Sequence, residues 1–285
     1  MLKPSYLETV LTPYKSEKLI FIPDTQIRKG VPVFHIPAIA RYIVDQKPEY
    51  IVIIGDWWDM PSLSVFNTKL QADGSRLKDD LDAGWFGMHL LLNPIREEQE
   101  RIARNRKKRW NPKIIYCVGN HDPQVRIPRF LESNPILEGF LKDDTTERLE
   151  RLGVEVYEFG QIAKIKGIGF SHFFINPHSA KKSPASGSID SMLKNIGFSF
   201  FQGHTQTYKI GKHYLGDDSV RIGGVAGACY LHDETYMGVQ GNCHWRGIIQ
   251  LNDIMDGGAD ILELSCRYLV QNYCTPQEIK DLMEV

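Results

Sequence analysis

Five short apolar runs, each handing over to a polar group at its end, constrain this chain more than any other feature. The runs are Leu19 to Ile22, Tyr50 to Ile54, Lys113 to Val118, Ile165 to Ser171 and Phe198 to Gln202. They are rich in β-branched and aromatic residues and almost continuously hydrophobic, the pattern of strands buried on both faces. The first ends in Asp24-Thr25-Gln26 and the second in Gly55-Asp56-Trp57-Trp58-Asp59. The third ends in Gly119-Asn120-His121-Asp122, the fourth in His172 and the fifth in Gly203-His204-Thr205-Gln206. Between the first two runs, Ile36, Ile39, Ala40, Ile43 and Val44 recur at helical spacing and stop before Pro48. Strand, helix, strand is a βαβ unit, so the fold class expected is α/β. In open α/β sheets, ligands sit at the C-terminal strand ends, where these polar groups fall.

Asp, Asn, Gln and His converging on one spot suit hard-to-borderline divalent cations rather than thiolate-bound zinc. In this order the blocks resemble the calcineurin-like metallophosphoesterases, whose pattern is D-x-H, G-D-x-x-D, G-N-H-D/E, a His, then G-H-x-H. They span Asp24 to Gln206, about two thirds of the chain. The resemblance implies a four-layer α-β-β-α sandwich of mixed sheets carrying two divalent metal ions, Mn²⁺ first among them. It implies a phosphoester hydrolase in which a hydroxide shared by the two cations attacks phosphorus in line. Carried over position by position, Asp24, Gln26 and Gln206 hold the first cation and Asp56 bridges both. Asn120, His172 and His204 hold the second. His121 is the general acid, oriented and kept charged by Asp59.

Three departures from the family pattern matter. Gln26 and Gln206 replace two histidines of one site, which biases that site towards Mn²⁺ or Mg²⁺ and weakens it. Met60 stands where Ser/Thr protein phosphatases of the family carry a phosphate-gripping arginine, leaving Arg126 and Arg129 as candidates for that grip. Phe173 and Phe174 follow His172 where glycine is more usual, and His178 is the fallback ligand. Trp57 and Trp58 read as core or rim rather than as a stacking platform.

The 34 basic residues nearly balance the 35 acidic ones, for a net charge of −1. A surface coated in positive charge is therefore excluded, but local patches are not. One is the basic run from Arg101 to Arg109, which reads either as a solvated helix face or as a patch bordering the site. Another is Lys181 and Lys182, in a Ser/Pro/Gly/Lys-rich stretch from Asn176 to Ser191 expected to be a mobile loop. Residues 60–112 are expected to form a mainly helical insertion, with a helix from Asn93 to Trp110 opened by Asn-Pro, inside a single domain over 1–285. The C-terminal strands are expected to complete a second sheet, followed by a short helix after Thr275-Pro276. Five cysteines without a C-x-x-C pair, no apolar leader and no spanning run point to a cytoplasmic protein, in a host cytoplasm if phage-encoded. The leading reading is a phosphodiesterase or nuclease acting on DNA or RNA, with no membrane partner. A phosphomonoesterase (nucleotidase or phosphatase) is the alternative, and a catalytically weak metal- and nucleic-acid-binding module is the third reading.

Overall fold

The computed structural model describes residues 10–11, 13–64, 74–105, 109–179, 184–217, 219–234 and 238–284. Its strands are β1 (Leu19–Ile22), β2 (Tyr50–Ile53), β3 (Lys113–Cys117), β4 (Val154–Tyr157), β5 (Ala163–Ile165), β6 (Ile168–Phe170), β7 (Ser199–Gln202), β8 (Tyr208–Tyr214), β9 (Val220–Ala226), β10 (Gly247–Met255) and β11 (Gly258–Ser265). Its helices are α1 (His35–Gln46), α2 (Leu77–Ala103), α3 (Pro123–Ser133), α4 (Thr145–Arg151), α5 (Ile189–Ile196), α6 (Gly238–Gly241), α7 (Cys266–Tyr273) and α8 (Pro276–Asp281). One sheet has the order β11-β10-β1-β2-β3-β4 and the other β5-β6-β7-β9-β8. Both are mixed. β1 to β4 run parallel, with β10 antiparallel to β1, while β6, β7 and β9 run parallel with antiparallel edges.

Side-chain alternation along these strands builds the layers. Phe21, Val52, Ile115 and Cys117 face Ile168, Phe170 and Phe201 between the two sheets. The intervening Ile20, Ile22, Ile51, Ile53 and Tyr116 point the other way, onto Ile39 and Ile43 of α1, Met88 and Leu91 of α2, and Leu269 of α7. On the far face of the second sheet, Phe200 and Val225 pack against Met192 and Leu193 of α5. The order of layers is helix, sheet, sheet, helix, as expected.

Three expectations need correction. The long helix does not start at Asn93: α2 begins at Leu77 and runs through Pro94. Its buried stripe of Ala83, Trp85, Met88, Leu91, Leu92 and Ile95 continues across the proline. That burial outweighs one missing backbone bond. The C-terminal strands divide between the sheets. β8 and β9 complete the second, but β10 returns to pair with β1 because Ile249 and Leu251 fill the inter-sheet core. Finally, the stretch after Asn176 is not all loop: Ile175 bridges to Pro184, and α5 begins within it, capped by the Ser188 side chain, while residues 180–183 lie outside the described residues.

Trp57 and Trp58 are fully buried, in agreement with the core reading. Trp58 lies edge-on to Trp85 and Tyr116, and α2 admits it only because residue 84 is glycine. A Cβ there would stand 1.7 Å from the Trp58 indole nitrogen. Helix propensity alone favours Gly84→Ala by about 1 kcal/mol. The expected result is the opposite: overpacking lowers stability by about 1–3 kcal/mol in urea titration, and a stabilised variant would show that the indole has room to move.

Candidate active site

The two sheets bring the C-terminal ends of β1, β2, β3, β6 and β7 to one edge, and backbone bonds lock their loops together. Thr25 and Gln26 donate their N–H groups to the Asp56 carbonyl at 3.1 and 2.9 Å. The Asp122 carboxylate accepts N–H bonds from Gly119, Asp56, Trp57 and Trp58 at 2.7–3.2 Å. Both Asp24 oxygens accept from the His204 N–H, at 3.2 and 3.0 Å.

Close approach explains two of the site glycines. A Cβ on Gly119 would stand 2.2 Å from Asp56 Oδ1, and one on Gly203 would stand 2.0 Å from Asp24 Oδ1. Gly55 meets both demands: it turns the chain off β2 at φ +85°, and a Cβ on it would stand 2.5 Å from the Cys117 carbonyl oxygen. Four predicted site residues are themselves left-handed, namely Gln26, Asp56, His204 and Gln206, with φ of 43°, 48°, 67° and 56°. Such conformations cost about 1 kcal/mol or more each and gather where function demands them.

Within this frame four donor atoms meet. His172 Nε2 lies 2.9 Å from Asn120 Oδ1 and 3.3 Å from Asp56 Oδ2. His204 Nδ1 lies 2.8 Å from Asn120 Oδ1 and 3.2 Å from His172 Nε2. Four donors bound at about 2.1 Å to one tetrahedral cation stand about 3.4 Å apart, so the cluster has the spacing a divalent ion needs. His172 Nδ1 donates to the Ile54 carbonyl at 2.9 Å. That bond leaves Nε2, in the neutral ring, with its lone pair towards the cluster.

The electrostatics ask for positive charge here. Burial works to lower the His172 pKa, yet the Asp56 and Asp24 charges outweigh it and push it up to about 10. Burial also works to raise both carboxylates. In Asp56, His172 and His121 override it and hold the group well below the usual range. Asp24, fully buried, is pushed up to about 7.

Beside this cluster lies the side of the site carrying Asp24, Gln26 and Gln206. Gln26 is 2% exposed, and its Oε1 is buried without a hydrogen-bond partner. A buried acceptor without a partner is one that a cation could satisfy. Gln206 Oε1 accepts from the Tyr230 hydroxyl at 2.8 Å, which leaves its second lone pair for another partner. The donor set fits hard divalent ions.

His121 stands at the edge of the cluster. Its backbone N–H donates to Asp56 Oδ1 at 2.8 Å, and its Nδ1 meets Asp59 Oδ1 at 3.0 Å. Burial works against protonation, but Asp56 and Asp59 prevail and raise its pKa. Asp59 is held in turn by Arg28 at 2.7 Å, and the same Arg28 nitrogen reaches Glu234 at 2.8 Å. His232 Nε2 meets that Glu234 at 2.9 Å, and its ring stacks on Tyr230 at 4.6 Å. Arg28, Asp122, Tyr230, His232 and Glu234 have no expected role above. Glu234 meets Arg28 from 206 residues along the chain, a pairing no local pattern announces.

Of the proposed substrate contacts, Arg126 is 7% exposed, with Nε buried and unpartnered and with Asp59 and Asp56 in electrostatic reach. Arg129 is exposed and lies over Phe159 at 5.8 Å. Lys181 and Lys182 lie outside the described residues, as do Arg106, Lys107 and Lys108 of the basic run. Arg101 pairs with Glu98 at 2.5 Å, and that carboxylate also takes Lys47. Those groups sit where β2 and β3 begin, whereas the site lies where they end, so Arg101 does not border the cluster. His178 is exposed, its backbone N–H donating to the Asn176 side chain, whereas His172 is the buried histidine of this strand end.

No family profile and no curated protein matches this chain. Solved structures similar to it include two phosphoesterases by description. One is a conserved uncharacterized protein and predicted phosphoesterase from Streptococcus pneumoniae TIGR4, 11% identical over 90% of this chain and 92% of that one, with a TM-score of 0.38. The other is Yfce, a phosphoesterase from E. coli, 13% identical over 87% and 99%, with a TM-score of 0.35. Among the described residues, no helix is long and apolar enough to cross a membrane.

Proposed function

We propose that this chain is a metal-dependent phosphoester hydrolase acting on phosphodiesters. The observation that carries the reading is the convergence of Asp56, His172 and His204, whose ligand atoms all lie within 4.8 Å of one another, with the Asp59-backed His121 alongside. Asp56, Asn120, His172 and His204 would hold one divalent cation, and Asp24, Gln26, Asp56 and Gln206 a second. Such ions supply Lewis acidity towards a phosphoryl oxygen and lower the pKa of water. The chain's own part is to orient the ester and to protonate the leaving oxygen from His121.

Charge favours a diester. Met60 is fully buried and left-handed, so it offers no grip at the position after Asp59. Arg28 is already bound by Asp59 and Glu234. Among the described residues Arg126 is then the guanidinium poised towards the site, and a single guanidinium beside the two cations suits a monoanionic diester better than a dianionic monoester. With Mn²⁺, bis(4-nitrophenyl) phosphate is expected to be cleaved faster than 4-nitrophenyl phosphate, and cleavage of the monoester alone would overturn the reading. Amide oxygens at Gln26 and Gln206 are harder donors than imidazole, so that side is proposed to prefer Mn²⁺ or Mg²⁺. Gln206→His is expected to tighten Zn²⁺ binding at least tenfold by calorimetric titration. Unchanged affinity would remove Gln206 from the ligand set.

A further inference from the structure

Next to the cluster, where the family resemblance leads one to expect glycine, Phe173 and Phe174 open onto a cleft of about 330 Å³. Its walls include Phe173, Phe198, Ile162, Ile175 and Pro177. The Phe173 ring is shared: it lines the cleft and lies 5.4 Å from the ring of His204. A group seated in the cleft is therefore one aromatic ring away from the proposed cation ligands. Ile162 and Ile175 are 38% and 45% exposed, so the cleft opens to solvent and is not an extension of the core. Phe198 is set in place by the chain beneath it, since a Cβ on Gly169 would stand 2.6 Å from its ring.

Positive charge flanks the rings. Arg129 lies over Phe159, which packs 5.2 Å from Phe173. Lys164 Nζ lies 4.9 Å from the centre of Phe198. A saturated acyl tail would gain apolar burial here but nothing from the flanking cations. A planar, polarisable ring on a phosphate gains from both, through stacking and through charge. The volume falls in the range of small-molecule pockets.

We infer that this cleft is a base subsite: it stacks the nucleobase of a nucleoside phosphoester on Phe173, with the phosphorus at the neighbouring cluster. The inference rests on the proposed hydrolase reading and narrows its substrate class to nucleotides.

Adenosine, which carries the base without a phosphate, tests it by ligand-observed NMR on the wild-type protein. Binding in the millimolar range is expected, weakened at least tenfold by Phe173→Leu, which keeps apolar volume but removes the ring. Phe173→Tyr is expected to restore it, which separates stacking from damage to the fold. The same Phe173→Leu change is expected to raise KM for a nucleoside aryl phosphodiester far more than it lowers kcat. Three results would overturn the subsite: no adenosine binding, equal binding by Phe173→Leu, or displacement of adenosine by octyl phosphate but not by other nucleosides. Diester hydrolysis without adenosine binding overturns the subsite alone. Adenosine binding that depends on the Phe173 ring, with no ester cleaved, overturns the hydrolase reading alone.

Discussion

His121→Asn is expected to lower kcat for an alkyl phosphodiester by about two to four orders of magnitude while leaving cation binding intact. The side chain meets Asp59, not the Asp56–Asn120–His172–His204 cluster, so the ligand donors survive the change. Leaving-group dependence gives the sharper readout. An activated aryl leaving group departs as a stable anion and needs little protonation, so the same variant loses far less on the nitrophenyl diester. Asp59→Asn makes a parallel case through pH. A general acid works only while protonated, so activity falls as pH rises through the His121 pKa. Asp56 and Asp59 raise that pKa against burial, which extends the active range upward. Removing the Asp59 charge therefore moves the alkaline limb of kcat to lower pH. Equal losses on both leaving groups, together with an unmoved limb, would strip His121 of the acid role.

The strands were legible because each of β1, β2, β3, β6 and β7 is short, apolar and closed by polar residues, and burial on both faces leaves no alternation to misread. The order of layers could then be anticipated from the resemblance. What sequence hid was non-local. β10 reads as a strand wherever it pairs, and only the fit of Ile249 and Leu251 between the sheets places it beside β1. Pro94 looked like a helix start because one residue's backbone chemistry is local, whereas the buried stripe that overrides it spans four turns of α2. In the site, the strand-end groups were visible one by one, because metal-type donors stand out against apolar runs. Their supports were not. Arg28 and Glu234 are ordinary surface-type residues until the fold sets them 2.8 Å apart. Gly119 and Gly203 clear space for the Asp56 and Asp24 carboxylates, a task that shows only once the fold brings those side chains alongside.

Asp122 carries the second large effect, and its task is architectural. Its carboxylate, fully buried, accepts four backbone N–H bonds, one each from Gly119, Asp56, Trp57 and Trp58. These donors belong to the two loops that present Asp56, Asn120 and His121. Asp122→Ala leaves all four facing a void that holds no acceptor, and an unsatisfied buried donor costs about 1–3 kcal/mol. Partial relaxation and entering water lower the sum, so a destabilisation of about 3–5 kcal/mol is expected from urea unfolding. The damage also spreads along the backbone. The Asp56 carbonyl holds the N–H groups of Thr25 and Gln26, so a loosened Asp56 loosens Asp24 and Gln26 with it. Cation affinity is then expected to fall at least a hundredfold, although Asp122 touches none of the converging donors. Asp122→Asn separates charge from geometry. Its remaining oxygen can still serve Trp57 and Trp58, but its NH₂ would oppose the N–H groups of Gly119 and Asp56. An intermediate loss, with cation binding weakened but measurable, is expected. A loss below about 1 kcal/mol for Asp122→Ala would mean that the loops hold the site without this carboxylate.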